Sequence, residues 1–73
     1  MKQNMTQHEM ILNHIEEYGS ISSLEAMKEY GIMRLASRIH DLKKQGYVFN
    51  REVVTAKNRF GDPVRFVRYS LHD

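Results

Sequence analysis

The sequence predicts an α+β fold in which three helices are followed by a two-stranded β-hairpin. Before Gly46, apolar residues recur at the three- and four-residue spacing of amphipathic helices. After it, residues 47–55 and 64–71 are rich in aromatic and β-branched side chains, which favour strands. Asn, Gly, Asp and Pro in residues 56–63 favour a turn that joins the two strands.

The first helix is predicted to begin after Thr6 and to end at about Tyr18. Thr6 and Glu9 have the spacing of a capping box, in which each side chain bonds the backbone amide of the other residue. Gly19 tolerates the left-handed conformation that ends many helices. Residues 20–22 then form an extended link, which is a candidate for a short third strand. The side chains expected on the apolar face are Ile11, Leu12, Ile15 and Tyr18.

The second helix is predicted to begin at Ser22 or Ser23, since either serine can serve as the N-cap. Gly31 then supplies a turn conformation, and Ile32 is expected to anchor that turn in the core. The side chains expected to face the core from this helix are Leu24 and Met27, with Ala26 or Tyr30.

The third helix is predicted over residues 33–45 and ends at Gly46. Leu35, Ile39 and Leu42 recur at i, i+4 and i+7, so they form one apolar stripe. The rest of the helix surface is basic and small-polar, which suits contact with DNA. The residues opposite the stripe on a helical wheel are Ser37, Asp41 and Lys44, and those on one flank are Arg34 and Arg38.

A chain of 73 residues supports one domain with a small core. We expect residues 6–71 to form that domain and residues 1–5 to be a flexible N-terminus. The absence of cysteine excludes disulfides and thiolate zinc sites and is typical of a reducing, intracellular setting. No apolar run is long enough for a membrane span or a signal peptide, so we expect a cytoplasmic protein with no membrane partner.

Charge is divided unevenly along the chain, although the net charge is only +2. Residues 1–32 have a net charge of −3, whereas residues 33–68 have a net charge of +6. This asymmetry indicates a polyanionic partner for the second half of the chain.

Catalysis and metal binding find little support in the sequence. The four histidines are scattered, with no His-Glu-x-x-His spacing and no cysteine beside them. Glu16 and Glu17 are adjacent on a helix and cannot converge as a catalytic carboxylate pair. We therefore expect a protein that is not an enzyme and that uses no cofactor, metal or small-molecule ligand.

Two short helices joined by a tight glycine turn form a helix-turn-helix unit, and a following hairpin is what a winged helix adds. The segments that carry a closer likeness are residues 22–26 (SSLEA), 30–32 (YGI), 34–42 (RLASRIHDL), 46–48 (GYV) and 68–71 (RYSL). On these segments the chain resembles winged helix-turn-helix domains and, more narrowly, the small helix-turn-helix family encoded by bacteriophages and prophages. The resemblance covers roughly residues 5–71 and implies binding of double-stranded DNA in phage gene control or genome handling.

The resemblance implies that the third helix lies in the major groove and that the hairpin, or wing, touches the backbone or minor groove. Arginine can bond guanine through two donors, and serine or histidine can bond donors or acceptors. Arg38 lies at the edge of the apolar stripe, so it fits a structural arginine paired with a glutamate nearly as well. The residues expected to reach base edges are Arg34, Ser37, Arg38, His40 and Lys44.

Other basic residues of the third helix and the wing are expected to contact phosphates, which gives affinity without sequence choice. Lys57 and Arg59 are expected at the wing tip beside Asn58. Arg65 and Arg68 lie on opposite faces of one strand, so at most one should face DNA directly. The residues expected to contact the wing side of the duplex or its backbone are Lys43, Lys57, Asn58, Arg59, Arg65 and Arg68.

Two functional hypotheses follow. The first is a small phage or prophage transcriptional regulator or architectural factor that binds double-stranded DNA as a homodimer or cooperatively, because so small a chain rarely binds one half-site tightly. The second is a protein-interaction module of the same fold that docks on a host or phage protein through exposed Phe60 and Phe66. The net charge of +6 in residues 33–68 favours the first.

Overall fold

A computed structural model describes residues 5–72, and residues 1–4 and 73 lie outside that part of the chain. The expected flexible N-terminus therefore falls almost wholly outside the described residues. Three helices precede a long β-hairpin, and a two-residue strand between the first two helices completes the sheet. The predicted α+β class and its short third strand are confirmed. The elements are α1 (Gln7–Tyr18), β1 (Ile21–Ser22), α2 (Ser23–Tyr30), α3 (Leu35–Lys44), β2 (Phe49–Lys57) and β3 (Pro63–Leu71).

Local hydrogen bonds fix the helix ends near the positions that the sequence predicts. The Thr6 hydroxyl accepts from the Glu9 amide at 3.1 Å, and the Glu9 carboxylate accepts from the Thr6 amide at 2.9 Å. The first of the two candidate serines, Ser22, caps α2, since its hydroxyl accepts from the Glu25 amide at 3.3 Å. Gly31 ends α2 in the left-handed conformation with φ 70°, where a side chain would introduce strain.

The sheet is antiparallel, with β3 in the middle and the other two strands on either side. β1 pairs with β3 at Tyr69 and Arg68, next to the helices. β2 pairs with β3 over all nine of its residues, from Phe49 at the base to Lys57 at the far end. The hairpin therefore extends well beyond the short strand that ties it to the helical part.

The hairpin differs from the prediction in its bounds. β2 begins and ends two residues later than the predicted 47–55, and β3 begins one residue earlier than the predicted 64–71. The closing loop is consequently residues 58–62, shorter than the predicted turn. This loop is called the wing tip below.

The core forms where the helices meet the base of the sheet. Leu35, Ile39 and Leu42 are each at most 2% exposed, which confirms the stripe predicted on the third helix. The buried apolar side chains are Ile11, Ile15, Ile21, Ala26, Ile32, Leu35, Ile39 and Leu42, and the sheet adds Phe49, Tyr69 and Leu71 at their edge.

Only part of the face predicted for helix α2 turns to the core: Ala26 is buried and Tyr30 packs against the core, as expected, but the other two residues do not. Leu24 is 65% exposed and Met27 is also exposed, whereas Ala26 is fully buried. The small side chain of Ala26 lets α2 approach the core closely. Leu24 lies two residues earlier, so its side chain points about 200° away from that of Ala26 around the helix axis. The expectation that Leu24 and Met27 face the core is therefore wrong. Tyr18, expected on the apolar face of α1, is also exposed.

Candidate nucleic-acid interface

Helix α3 presents an exposed face that carries several of the predicted DNA-contacting residues. Arg34 is the exposed N-cap residue, and its side chain makes no capping hydrogen bond. His40, Lys43 and Lys44 are exposed further along the helix. Ser37, expected opposite the apolar stripe, is half-buried and offers less surface than predicted.

Arg38 lies between the core and the exposed face of α3, and one part of its guanidinium group forms an ion pair within the fold. Its Nη1 atom lies 3.4 Å from Oδ2 of Asp41, one turn further along α3. Asp41 is shared with His8 of α1, whose Nε2 lies 3.3 Å from the same oxygen. The Arg38 Nε atom is buried and has no hydrogen-bond partner among residues 5–72. The acidic partner is thus an aspartate rather than a glutamate, and contact between Arg38 and DNA stays a prediction.

The two faces of the hairpin differ in their exposed cations, and the face that carries three of them is called the basic face below. Because side chains alternate along a strand, the register places Arg51, Lys57 and Arg65 on the face whose base packs against the core. This basic face therefore lies on the same side of the sheet as the helical core. The opposite face carries Asn50, Glu52, Val54 and Ala56 from β2 and Val64, Phe66, Arg68 and Ser70 from β3.

The wing tip is closed by hydrogen bonds of its own. The side-chain oxygen of Asn58 accepts from the amides of Phe60 and Asp62, at 2.9 and 3.0 Å. The Asn58 amide donates to the Asp62 carbonyl at 2.9 Å, and the Gly61 amide donates to the Asn58 carbonyl at 3.0 Å. Asn58 thus orders the loop, and its side-chain NH2 group is the part that a phosphate could bind. The predicted basic residues at this end of the hairpin, Lys57 and Arg59, are exposed.

Arg68 is engaged within the fold instead of being presented to a partner. Its Nη2 donates to Oε1 of Glu25 at 2.7 Å, and its Nε donates to Oγ of Ser20 at 2.8 Å. Arg65 lies on the opposite face of β3, as alternation predicts, and is exposed. We therefore keep Arg65 among the candidate phosphate contacts, whereas Arg68 has a structural role and its contact with DNA stays a prediction.

Glu25 joins α1, α2 and β3 in one polar cluster. Besides Arg68, it accepts from the Ser22 amide at 3.1 Å, and Nε2 of buried His14 lies 3.8 Å away. His14 Nδ1 shares a 2.6 Å hydrogen bond with the Tyr30 hydroxyl, whose pKa is raised by burial above the ordinary 10.0. Burial acts to raise the pKa of Glu25, but hydrogen bonds from Arg68 and Ser22 outweigh it and hold the pKa below 4.5. Glu25 therefore stays charged at neutral pH.

Three residues that the sequence prediction does not assign to DNA also lie on these surfaces. Ala36 is exposed in the first turn of α3, where its methyl group could contact a thymine methyl. Arg51 is exposed on the basic face of the wing. It lies six residues before Lys57, and this even number predicts that both side chains lie on the same face of the strand. Phe60 stands out at the wing tip because 86% of it is exposed.

Within residues 5–72, no three His, Cys, Asp or Glu side chains lie close enough together to hold a metal ion. No helix in the described range is long and apolar enough to cross a membrane. The groups gathered on α3 and the wing are cations and hydrogen-bond donors on an open surface. Such groups suit an extended polyanion better than a small enclosed substrate.

Comparison with known families identifies the domain. A family model described as a winged helix-turn-helix domain matches residues 6–73. The chain belongs to that family. No curated protein matches the chain, and no solved structure matches it. In this winged helix-turn-helix domain, α2 and α3 form the helix-turn-helix and the β2–β3 hairpin is the wing, a plan that supports DNA binding in general.

Proposed function

We propose that this winged helix-turn-helix domain is a small DNA-binding protein of phage or prophage type, a transcriptional regulator or architectural factor in the bacterial cytoplasm. The observation that carries the proposal is the basic face of the wing, with Arg51, Lys57 and Arg65 on the same side of the sheet as the helical core. A duplex lying on α3 would meet these cations as well. The resemblance to the phage and prophage family supports the biological setting.

In the proposed complex, α3 lies in the major groove of double-stranded DNA. Residues near the N-terminus of a recognition helix are those that contact base edges in helix-turn-helix proteins. Arg34 has that position and is exposed, so we assign it the leading role in base recognition. The side chains proposed to assist it are Ser37, Arg38, His40 and Lys44.

The wing is proposed to follow the backbone or the adjacent minor groove. Its cations would neutralise phosphates and release counterions, which gives binding that weakens with salt. The side chains proposed for these contacts are Lys43, Arg51, Lys57, Arg59 and Arg65, with the NH2 group of Asn58.

We further propose that two or more copies bind together, as a homodimer or cooperatively along the duplex. Helix α3 has ten residues and can contact only a few base pairs. Helix-turn-helix dimers solve this problem by binding two half-sites about one helical turn apart. The dependence of binding on protein concentration tests this point, since cooperative binding gives a Hill coefficient above one.

The deciding experiment titrates the protein with random-sequence duplex DNA at several salt concentrations. We expect affinity to fall steeply with salt, with a log–log slope that grows by about 0.9 for each phosphate neutralised. A Lys57→Ala/Arg59→Ala variant should bind more weakly and show a slope reduced by about 1.8, because it neutralises two phosphates fewer than the wild type.

The matched control is Lys28→Ala, which removes an exposed cation from the acidic half of the chain. It should leave both the affinity and the slope close to those of the wild type. If wild-type protein shows no binding at low salt, DNA binding by this chain is refuted. If Lys28→Ala weakens binding as much as the double variant, the assignment to the wing is refuted.

A protein-interaction module is the second candidate function, favoured by one observation. A cavity of about 480 Å³ lies between the start of α2 and β3, with exposed Leu24 and half-buried Phe66 among its lining residues. This cavity could take an apolar side chain of a host or phage protein. Leu24→Asp would abolish such docking and leave salt-dependent DNA binding unchanged, so one variant separates the two functions.

A further inference from the structure

Phe60 is a large apolar side chain that the fold does not use. At 86% exposure it is more exposed than any other large apolar residue in the described part of the chain, including Met33 and Leu24. Exposing an aromatic ring to water is unfavourable, and burying it on a partner recovers that free energy. Burial of Phe60 against another molecule would therefore give a large favourable free energy of binding. The exposed ring contributes little to the stability of the fold.

The wing tip holds Phe60 in place. The Phe60 amide donates to the side-chain oxygen of Asn58 at 2.9 Å, and the Asn58 amide donates to the Asp62 carbonyl at 2.9 Å, which closes the loop. Gly61 takes φ +84°, a conformation that allows the chain to turn back directly after Phe60. The backbone that carries Phe60 is thus already ordered, so binding of a partner does not have to order it.

The charges around Phe60 select the kind of partner. Arg59 is adjacent to it, Lys57 ends β2 below it, and both are exposed. Asp62 is the single acidic residue of the wing tip. An aromatic ring flanked by cations is complementary to a surface that has both negative charges and apolar faces. DNA has such a surface, because its phosphates are negatively charged and its stacked bases are apolar.

The length of the wing is sufficient for this contact. The five residues of β2 that project beyond the segment opposite β1, residues 53–57, span about 17 Å, and the wing tip adds to that length. Half a helical turn of DNA, the distance from a major groove to the next minor groove along the axis, is about 17 Å. With α3 in a major groove, the wing tip can therefore reach the adjacent minor groove.

From these observations we infer that Phe60 enters the minor groove as an apolar wedge and bends the duplex at the wing. Architectural proteins use phenylalanine and other apolar side chains in this way, partly unstacking one base step and bending DNA away from the protein. Arg59 and Lys57 would hold the flanking phosphates while the step opens. This inference rests on the proposed DNA-binding function and assigns to it a bending activity.

The experiment measures bending and unstacking in the intact protein–DNA complex. A duplex labelled at both ends for energy transfer reports the bend, and 2-aminopurine placed along the duplex reports an unstacked step. Wild-type protein should bend the duplex by roughly 20–90° and raise the 2-aminopurine fluorescence at one position. Phe60→Ala should remove both signals and weaken binding by up to about tenfold.

Two further variants make the result specific. Phe60→Leu keeps an apolar wedge, so it should keep most of the bend. Val48→Ala shortens an exposed apolar side chain at the opposite end of the hairpin and should match the wild type in both signals. Both positions are largely exposed, so the variants should remain folded, which circular dichroism checks.

The possible failures are distinguishable. If wild-type protein does not bind DNA, the proposed function itself is refuted. If it binds with the expected salt dependence but Phe60→Ala bends the duplex like the wild type, the wedge is refuted and DNA binding stands. If Phe60→Ala instead abolishes self-association of the free protein and leaves the bend unchanged, Phe60 contacts a second copy and the inference is overturned.

Discussion

The guanidinium of Arg68 donates from Nη2 to Oε1 of Glu25 at 2.7 Å, joining residues that lie 43 positions apart in the chain. Arg68 lies in the central strand of the sheet, and Glu25 lies in the first turn of α2 and completes its capping box. One ion pair therefore ties the base of the wing to the first helix of the helix-turn-helix. Its neighbours Ser20 and His14 extend the connection to the end of α1.

Removal of the Arg68 side chain should destabilise the fold although Arg68 is not in the apolar core. Arg68→Ala removes the hydrogen bonds to Glu25 and Ser20. We expect the free energy of unfolding to fall by about 1–2 kcal/mol, a modest amount because the ion pair is partly exposed to solvent. Urea denaturation measures it. Arg65→Ala, on the exposed face of the same strand, should change the free energy by less than about 0.5 kcal/mol. Equal losses in the two variants would contradict the structural role of Arg68.

Stability should fall in acid because two carboxylates are held ionised in the folded state. Hydrogen bonds from Thr6 hold the pKa of Glu9 below the ordinary value of 4.5, and the pKa of Glu25 is also lowered, since Arg68 and Ser22 outweigh the effect of burial. A lowered folded-state pKa gives stability that is complete above the unfolded-state pKa and is lost as the pH falls through the folded-state value.

We therefore expect the urea midpoint to be steady near neutral pH and to decline from about pH 5 downward. Glu25→Gln keeps the hydrogen-bonding shape of the capping box but removes the charge, so its stability should depend less on pH over the same range. A variant that follows the wild-type pH dependence throughout would show that Glu25 does not contribute to it.

The outward position of Leu24 on α2 can be tested by comparing it with Ile39, a buried reference position on α3. Ile39 is 2% exposed, so Ile39→Val should cost about 0.5–1.5 kcal/mol even though it removes a single methylene group. Leu24→Ala removes more atoms from an exposed position and should change stability by less than about 0.5 kcal/mol. A larger loss for Leu24→Ala in thermal or urea denaturation would restore the predicted core-facing position of Leu24.

Base recognition by Arg34 should appear as a change in sequence preference. Arg34→Ala should cost about 1–3 kcal/mol at the preferred base and relax the preference at that position, measured by selection from a randomised duplex library. Lys43→Ala is the comparison, because removing a cation that is proposed to bind phosphate from the same helix should weaken binding to all sequences alike. A uniform decrease in affinity for Arg34→Ala would reassign Arg34 to the backbone.

Features that depend on neighbouring residues were predictable from the sequence. The capping box of Thr6 and Glu9 forms within one helix, and the apolar residues of the α3 stripe recur at helical spacing, so the sequence alone reveals both. The change from helical to strand patterning indicated the order of the elements, and the family match agrees with it.

Features that depend on contacts between distant segments were not predictable. Glu25 and Arg68 each have an ordinary local environment in the sequence, and only the pairing of β1 with β3 brings them together. Helix α2 has eight residues, too few for periodicity to show that Ala26 and not Leu24 faces inward. The placement of Arg51, Lys57 and Arg65 on one face of the wing likewise required the register of β2 on β3.

The closed loop at the wing tip has a consequence for how such a protein diversifies. Because Asn58 ties the loop to itself, the residues that it displays, Arg59 and Phe60, can be replaced without disturbing the packing of the helices. Substitutions at the tip can therefore change what the tip contacts while the cost in stability stays small. Grafting this loop onto the hairpin of another winged helix would therefore transfer all of its contacts together.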